Sequence, residues 1–490
     1  TRSYSVTGFQ TCALPICCWI YIPAWVVSES EVTQLDGGAT LKDQLASYWK
    51  KVLSQATRIE VPDESLTNII KAAQVHCYLA ARNAEEGRLV SPWIASMVYG
   101  PLESEANSIL RGMALLGNDE FAKRGLDFFI KRYNAAGFLT TGYTLMGTGW
   151  QLRSVGEYYD LTKDRDWMTS VASEVKRVCD WVEAQRRKST ERPAELLLPE
   201  TGGLMPPGVM ADWGNYAAYF AANSLYQAGN ERAGEALLAV GTNGAGQLLL
   251  DAANHKTAVV QAFKKTQALA PLVQLRDGTW VPFSPSSAGL SLSMKELFPG
   301  EDGNRSWAYD VDIGAHHLLS QRQLAPHSRE ARWIMDALED IDFLGEGWFD
   351  YTAAESEADW FNRGGFSKIQ PYYARNAEIY ALRDDVKPFI RSYFNTLAAM
   401  VSAENLSHWE HFHNAGAFNK THETGYFLQQ TRFLFAMEYG STLRLAPFVT
   451  DQWLKPTERI SIEALPTKFG RVSYTLVSHT DAGYLEAQVD

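Results

Sequence analysis

The sequence predicts a mainly α-helical protein, an (α/α)6 barrel of six helical hairpins followed by a partial C-terminal β-sandwich-like domain. Helical hydrophobic periodicity recurs as six paired segments between residues 63 and 440. One segment of each pair is apolar nearly all round, as expected for a helix in the inner layer of a double layer. After Gly440 the pattern changes to an alternation with period two, which is typical of strands.

The first 62 residues precede the repeated pattern. Val6–Ile16 closely resembles the translation of a common sequencing adaptor, so we exclude residues 1–17 from the fold prediction. We interpret residues 18–62 as the remnant of an N-terminal β domain plus a linker helix over Leu41–Leu53. Asp63 is then a suitable N-cap for the first helix of the barrel.

The barrel is predicted over residues 63–440, and each copy contains an outer amphipathic helix, a long loop and a more apolar inner helix. We expect outer helices over residues 64–84, 118–135, 164–187, 231–268, 326–342 and 385–402. We expect inner helices over residues 103–116, 147–160, 213–228, 308–321, 370–383 and 423–438. Tight connections lie at one end, so the long loops line one mouth at the other. A helical solenoid is the alternative, but the copies have no fixed period and no consensus.

The C-terminal region, residues 441–490, shows four short segments of alternating hydrophobicity that Pro, Gly and Asp separate. These predicted strands cover residues 443–449, 460–464, 471–477 and 484–489. The pattern indicates a β domain that forms part of a sandwich.

Composition excludes several classes of function. The net charge of −12 argues against nucleic acid as a partner, because such proteins need a basic surface. No apolar run approaches the length of a membrane span, about 18–20 residues. Outside the excluded segment Cys18, Cys77 and Cys179 remain, and their spacing forms neither a disulfide framework nor a metal motif. We therefore predict no cofactor, and the cysteine usage favours a reducing, cytoplasmic compartment.

Almost every one of the six long loops combines tryptophan with carboxylates, and Asn405–Gly425 alone holds four of the ten histidines. Sugars stack their C–H faces on indole rings and need charged or amide groups for their hydroxyls, so we predict a carbohydrate substrate. The predicted substrate-binding residues are Trp93, Glu103, Tyr143, Trp150, Trp213, Arg305, Trp307, Asp310, Asp359, Trp360, His408, Trp409, His411, His413, Asn414, His422 and Glu423.

Glycoside hydrolysis requires two carboxyl groups across the scissile bond, about 6.5–9.5 Å apart in an inverting enzyme. Loops three and six face each other across a six-hairpin mouth, so we predict Asp212 as general acid and Glu410 as general base. Glu200 is the substitute acid if Asp212 only caps the helix that we expect to begin near Trp213. The structural alternative for Glu410 is an ion pair with a neighbouring imidazolium.

Three alternatives stay open at this point. His408, His411, His413 and His422 could bind a metal with Glu410, but no metal-binding spacing is present, so we predict none. A polysaccharide lyase would use a tyrosine or histidine base and an arginine or amide to neutralise a uronate. Loop six offers His411, His413, Asn405 and Asn414 for this, and Arg305 could serve as the clamp. A non-catalytic carbohydrate-binding barrel would keep the fold without a working carboxyl pair.

At these residues the chain resembles the six-hairpin glycosidases, namely α-L-rhamnosidases, trehalases, processing α-glucosidases and glucoamylases. Leu406–Glu410 is similar to the rhamnosidase base segment, in which tryptophan precedes the glutamate. Glu200-Thr201-Gly202 followed by Asp212 is similar to the acid segment of trehalases and processing glucosidases, although there the residues lie closer together. The resemblance implies an acid in the third loop, a base in the sixth loop, and inversion at the anomeric carbon.

Overall fold

The computed structural model describes residues 28–33, 38–135, 137, 146–191, 201–210, 213–299, 308–343, 370–411 and 416–490. The chain divides into two compact units, residues 1–54 and 55–490. In the first unit the described helices are α1 (Glu29–Thr33) and α2 (Gly38–Leu53). The linker helix that the sequence predicts over Leu41–Leu53 therefore begins three residues earlier. The segment 18–27, predicted to be part of a β domain, lies outside the described residues.

The second unit contains paired helices that follow one another along the chain. They are α3 (Glu64–Ala80), α4 (Glu103–Leu115), α5 (Asp119–Ile130), α6 (Met146–Thr162), α7 (Arg165–Glu191), α8 (Phe220–Ala239), α9 (Ala245–Gln267), α10 (Met294–Leu297), α11 (Ala308–Asp312), α12 (His317–Ser320), α13 (Arg329–Ala337), α14 (Pro371–Ala374), α15 (Asn376–Arg383), α16 (Val386–Met400) and α17 (Thr421–Phe435). A π-helical segment, Leu338–Phe343, continues α13. Asp63 caps α3 as predicted, accepting a hydrogen bond from the Leu66 amide at 3.0 Å.

The inner helices form a closed ring. Helix α4 packs on α6, α6 on α8, α8 on α12, α12 on α15 and α15 on α17, and α17 returns to pack on α4. The outer helices α3, α5, α7, α9, α13 and α16 each precede an inner helix in sequence. Closure of the ring confirms the (α/α)6 barrel and excludes the solenoid, whose terminal repeats would not meet.

Close backbone contact explains why the inner helices are rich in small residues. Every residue of α4 and of α17 is buried. A Cβ atom added at Gly425 of α17 would lie 2.6 Å from the Ile109 Cα of α4. At the crossing of α6 and α8, a Cβ added at Gly229 of α8 would overlap the Gly149 carbonyl oxygen of α6. At these two crossings glycine lets the backbones of neighbouring helices touch.

The third hairpin differs from the sequence prediction. Trp213 begins strand β5 (Trp213–Ala217), which pairs with β4 (Gly208–Met210), and the inner helix α8 begins only at Phe220. The predicted outer helix over 231–268 was wrong at its start, because α8 continues to Ala239 and α9 begins at Ala245. Gly241 and Gly244 have φ angles of 82° and 79° and form the turn between these helices.

Two more antiparallel hairpins lie in the loops of the barrel. Strand β2 (Arg82–Ala84) pairs with β3 (Leu89–Ser91) in loop one, between α3 and α4. Strand β6 (Leu272–Gln274) pairs with β7 (Trp280–Pro282) in loop four, between α9 and α10. The long loops therefore carry structure of their own beside the helices.

The β region begins directly after α17 with the hairpin of β8 (Ala436–Tyr439) and β9 (Thr442–Leu445), five residues before its predicted start at residue 441. A four-stranded antiparallel sheet has the order β1 (Arg58–Glu60), β10 (Arg459–Thr467), β11 (Gly470–His479) and β12 (Tyr484–Val489). The Tyr474 hydroxyl of this sheet donates to the Phe435 carbonyl of α17 at 2.8 Å. A C-terminal β region on a helical barrel is the predicted fold class, and the structure confirms it.

Candidate active site

Loops one and six meet where the inner helices α4 and α17 begin. The Thr421 amide, at the start of α17, donates to the Ile94 carbonyl at 2.8 Å, and its hydroxyl donates to the Trp93 carbonyl at 2.6 Å. Lys420 forms a bridge with Ala95. These contacts place the first-turn residues of α4 and α17 at the same end of the barrel, the predicted mouth.

Glu410 is held there by three hydrogen-bond donors from two parts of the chain. Its carboxylate accepts from Lys420 Nζ at 2.6 Å, from Gln370 Nε2 at 3.2 Å and from the Ala417 amide at 2.9 Å. Its side chain is 12% exposed, so it is sheltered but still reaches solvent. Burial alone would raise the pKa of Glu410, but the Lys420 charge and these hydrogen bonds hold it below its usual value. Glu410 is therefore ionised at neutral pH.

Glu423 lies in the first turn of α17, and its pKa is shifted in the direction opposite to that of Glu410. Its Oε2 accepts from the Tyr372 amide at 3.1 Å, and its Oε1 lies 3.1 Å from Nε2 of His422. The side chain is 1% exposed. Burial raises the pKa of Glu423 well above its usual value, and the nearby carboxylates of Glu410 and Glu105 raise it further. The pKa values of Glu410 and Glu423 are therefore shifted in opposite directions.

The histidines His408 and His422 of loop six are buried and neutral. Burial lowers the pKa of His422 well below its usual value and lowers the pKa of His408 to about 3. The ring of His422 packs against Tyr372 with centroids 4.9 Å apart, and the ring of His408 packs on Phe427 at 5.0 Å. The cation that binds Glu410 directly is Lys420, and the charge of the neighbouring His411 also lowers the pKa of Glu410.

Two more carboxyl groups come from the first turn of α4. Glu105 Oε1 lies 3.6 Å from His422 Nδ1, and Glu103 is 1% exposed. Gly147 at the start of α6 makes room for Glu103, because a Cβ atom there would overlap the Glu103 side chain. The helix dipole favours carboxylates in a first turn. Together with Glu410 and Glu423, these residues bring four sheltered carboxyl groups to the mouth.

The predicted aromatic residues occupy different depths. Trp150 is 2% exposed and packs against Tyr372 at 5.7 Å and against the Arg375 guanidinium at 4.5 Å. Trp213 is similarly buried against Tyr309, with ring centroids 3.8 Å apart. These two indoles pack inside the protein and leave little free surface for a sugar.

Other aromatic rings at the mouth are more accessible. Trp93 is half-buried and lies under the Arg82 guanidinium at 4.7 Å. Trp409 is half-buried and meets Phe418 edge-on at 5.4 Å, and His411, two residues later, is also half-buried. The Tyr99 ring is 36% exposed and carries Lys420 Nζ at 3.8 Å. These rings offer the C–H and cation contacts that carbohydrate recognition needs.

Asp310, in α11 of the fourth hairpin, fixes a loop. Its carboxylate accepts from the Ser286 hydroxyl and from the Met294 amide, the latter at 2.9 Å. Burial raises the pKa of Asp310 to about 7. Because both of its described donors come from the loop over residues 286–294, Asp310 orders the approach to the inner segment α11–α12.

Nine predicted site residues lie outside the described residues: Tyr143, Glu200, Asp212, Arg305, Trp307, Asp359, Trp360, His413 and Asn414. For Asp212 the neighbouring elements still matter. Helix α8 begins at Phe220, and its N-cap position is Tyr219. The helix-capping alternative for Asp212 rested on an inner helix beginning near Trp213, and that boundary was wrong.

Sequence reasoning missed the residues that bind the predicted ones. Gln370 and Tyr372 reach Glu410 and Glu423 from the fifth hairpin, about 40–50 positions away in sequence. Lys420 could have been found from the sequence. A lysine directly before a helix opposes the helix dipole, so a compensating partner is expected for it. In the structure this partner is the carboxylate of Glu410, with which Lys420 forms an ion pair.

In the described part of the chain no group of three histidine, cysteine or acidic side chains is placed to hold a metal ion. Among the same residues, no helix is both long and apolar enough to cross a bilayer.

No protein-family model and no curated protein matches the chain. Solved structures do match, and they include a sialidase with a TM-score of 0.58 at 11% identity, covering 90% of this chain and 41% of that chain. An α-L-rhamnosidase of Streptomyces avermitilis, complexed with L-rhamnose, matches with a TM-score of 0.52 at 12% identity over 89% of this chain and 37% of its own. A bacterial glucoamylase complexed with acarbose matches with a TM-score of 0.51 at 11% identity. The match covers 83% of this chain and 61% of the glucoamylase.

The chain thus spans less than two thirds of each of these three proteins. At such identities the matches show a shared fold. They confirm, at the level of fold, the resemblance to six-hairpin glycosidases on which part of the sequence prediction rested.

Proposed function

We propose that this chain is a glycoside hydrolase whose active site lies at the barrel mouth, with Glu410 as the general base. The observation that carries the proposal is the setting of Glu410, a sheltered carboxylate at the mouth whose pKa Lys420 and the other donors hold below its usual value. A general base must be ionised before it can remove a proton, and this setting keeps Glu410 ionised. The presence of rhamnosidase and glucoamylase structures with bound L-rhamnose and acarbose among the neighbours supports a carbohydrate substrate.

In the proposed reaction Glu410 removes a proton from water as the water oxygen attacks the anomeric carbon. Asp212, from the third loop, donates a proton to the glycosidic oxygen as its bond to that carbon breaks. The products are a sugar of inverted configuration and an alcohol, and the two carboxyl groups exchange protonation states. Lys420 keeps Glu410 ionised before the reaction, while Gln370 and the Ala417 amide orient its oxygens.

Glu423 is the competing candidate for the general acid, because burial raises its pKa and so favours its protonated form. It is nearly fully buried and binds the Tyr372 amide, so we assign it a positioning role instead. The isosteric change Glu423→Gln separates the two roles. Glutamine preserves a neutral hydrogen-bonding group but cannot donate a proton to a leaving group, so only an acid role would cause a large loss of activity.

The test is hydrolysis of a panel of aryl glycosides, including α-L-rhamnoside and α-glucoside, by the wild type and by Glu410→Gln. Loss of a general base lowers the rate by about 10²–10⁴-fold, so we expect at least about a 100-fold fall in kcat. Glu404→Gln is the matched control, because Glu404 lies on the same loop and is exposed. An active wild type with an unaffected Glu410→Gln variant would contradict the assignment.

The general acid and the stereochemistry need separate measurements. Asp212→Asn should lose activity most strongly on substrates with poor leaving groups and least on activated aryl glycosides. Proton NMR during the first minutes of the reaction should show the inverted anomer. If no glycoside is cleaved, the glycosidase proposal fails, and absorbance of unsaturated products from a uronate polymer would then identify a lyase.

A further inference from the structure

A partly open cavity lies at the end of the barrel opposite the mouth, where the inner helices end. It has a volume of about 110 Å³ and is lined by side chains of α4, α6, α8, α15 and α17 and of the β region. We call it the basal cavity and define it by five cationic residues: Arg111, Arg232, Arg322, Arg432 and Lys468. None of these residues contributes to the mouth.

Guanidinium groups bind two carboxylates of the basal cavity, the buried Glu378 and the half-buried Glu157. Glu378 accepts from Arg111 at 3.0 Å and from Arg153 at 3.2 Å through Oε1, and from Arg375 at 3.0 Å through Oε2. Glu157 accepts from Arg111 at 2.7 Å and from Arg153 at 3.2 Å. Two carboxylates therefore serve three guanidinium groups, in a chain whose net charge is −12.

The two carboxylates nearer the rim also have partners of their own. Asp160 pairs with Lys163 at 3.1 Å and with Arg232 at 3.5 Å. Glu438 forms an ion pair with Arg432. Every carboxylate that lines the basal cavity thus has at least one cation, and positive charge stays in excess around the space.

Arg322 is the clearest unpaired cation. Among the described residues its guanidinium has no hydrogen bond and no ion pair, although it lines the cavity. Desolvation and, to a smaller extent, the charge of Arg232 lower its pKa, while the carboxylates of Glu378 and Glu157 act in the opposite direction. Its backbone lies in the left-handed region with φ of 57° because it ends helix α12, where the Gln323 amide donates to the Leu318 carbonyl at 2.7 Å.

Arg432 adds a donor that lacks a partner. The side chain is buried, and its terminal nitrogens bind Glu438 and the carbonyls of Ala436 and Pro466. Its Nε has no hydrogen-bond partner among the described residues. A buried N–H group of a charged side chain is costly to leave unsatisfied, so a missing acceptor at this place is expected.

We propose that the basal cavity binds inorganic phosphate. Guanidinium groups match tetrahedral oxyanions because each can present two parallel N–H donors. A space of 110 Å³ accommodates several water molecules and hence an ion of this size. Arg322 reaches solvent and Lys468 is half-buried, so these two provide the entrance, whereas the buried Arg111 and Arg432 form the inner wall.

The test is thermal unfolding of the whole chain at constant ionic strength, with sodium phosphate replacing sodium chloride. We expect Tm to rise with phosphate concentration in the wild type and to saturate. In Arg322→Gln the phosphate concentration that gives half of the effect should rise at least about 10-fold. Arg88→Gln, which removes an arginine with a 74% exposed side chain outside the cavity, should behave as the wild type does.

Three results would overturn the proposal: an equal Tm rise with chloride, no rise with phosphate, or an unchanged response of Arg322→Gln. Arg232→Gln is a second variant, because Arg232 is only half-buried and its loss is tolerable for folding. Glu410→Gln should bind phosphate as the wild type does. Competitive inhibition of glycoside hydrolysis by phosphate that persists in Arg322→Gln would place the ion at the mouth and would also count against the basal cavity.

Discussion

Glu410 and Glu423 show that burial can leave two carboxyl groups in opposite states. Burial raises the pKa of both. Glu410 also has a lysine at 2.6 Å, and together with the other donors this more than offsets the burial. For Glu423 the Tyr372 amide and the Lys420 charge lower the pKa by less than burial raises it. The partner of each group therefore decides its state, and Lys420 is the residue that makes Glu410 a base.

This leads to a prediction on the pH dependence of hydrolysis. The acid limb of kcat/KM reports the ionisation of the general base, and in the wild type it should lie below pH 4.5, the usual value for glutamate. Removing the lysine charge in Lys420→Met should move this limb to higher pH, by about 1 pH unit or more. A pH–rate profile of both proteins checks this. An acid limb that does not move would mean that Glu410 is not the titrating base.

A second prediction concerns stability. Because the folded-state pKa of Glu423 is raised above the unfolded value of 4.5, ionising it costs stability as the pH rises through that interval. Glu423→Gln cannot ionise, so it should gain on the wild type above pH 4.5, by at most about 1.4 kcal/mol per pH unit. Urea unfolding at pH 5 and pH 8 measures the difference. A variant that is less stable than the wild type at both pH values would contradict it.

Part of the site could be predicted from the sequence, and which part depends on where its residues lie along the chain. Glu410, His422 and Glu423 were predicted together because they lie in one stretch of loop six. The partners Gln370 and Glu105 come from other hairpins, and only tertiary packing brings them to this stretch. The burial of a tryptophan at the start of a helix could not be predicted from the sequence either, because such a ring can face a pocket or the core.

At the scale of elements, five of the six inner helices began within about two residues of the predicted positions, and the third did not. Apolar periodicity marks a buried helix reliably, but it does not distinguish a short hairpin such as β4–β5 from a first helical turn. The Ala-rich pattern running from α8 into α9 similarly concealed the turn at Gly241 and Gly244. The glycines were the signal that should have outweighed the periodicity.

The close helix contacts make a prediction at this scale. Gly425→Ala should destabilise the fold by about 1–3 kcal/mol, because the added methyl group would meet the Ile109 backbone, which cannot move aside as a side chain can. Gly246→Ala in α9 is the matched control, since nothing lies within 4 Å of the place that its methyl group would take. In a helix that change should be neutral or stabilising by about 0.5–1 kcal/mol. Equal effects in urea unfolding would refute the packing argument.

For the whole molecule, the sequence predicted the ring but not what fills its axis. Six paired helices with alternating short and long connections can close into one ring, and this could be inferred without contacts. The charges at the axis could not, because Arg111, Glu157 and Glu378 come from three different hairpins and look like ordinary helix residues in sequence. At the axis these residues form a hydrogen-bonded ionic network in place of part of the apolar core. Gln429 belongs to it as well, because its Oε1 accepts a hydrogen bond from Arg111 at 2.5 Å.

The last prediction tests this network. Burial alone would raise the pKa of Glu378, but the guanidiniums of Arg111, Arg375 and Arg153 hold it well below its usual value. Its contribution is therefore present above pH 4.5 and is lost as the pH falls towards the folded-state pKa. Glu378→Gln should cost about 3–5 kcal/mol at pH 7, because buried cations lose their counter-ion, and the cost should shrink in acid.

Urea unfolding at pH 7 and at pH 4 measures both parts of this prediction. Glu120→Gln is the control, because Glu120 forms an ion pair with Lys123 at 3.1 Å while its side chain is 75% exposed, and such pairs contribute about 0–1 kcal/mol. A Glu378→Gln variant as stable as this control would mean that the guanidiniums find other acceptors. Since the network joins helices from separate hairpins, the expected loss should appear as a lower midpoint of a single transition of the barrel, because all of its hairpins depend on the same axis.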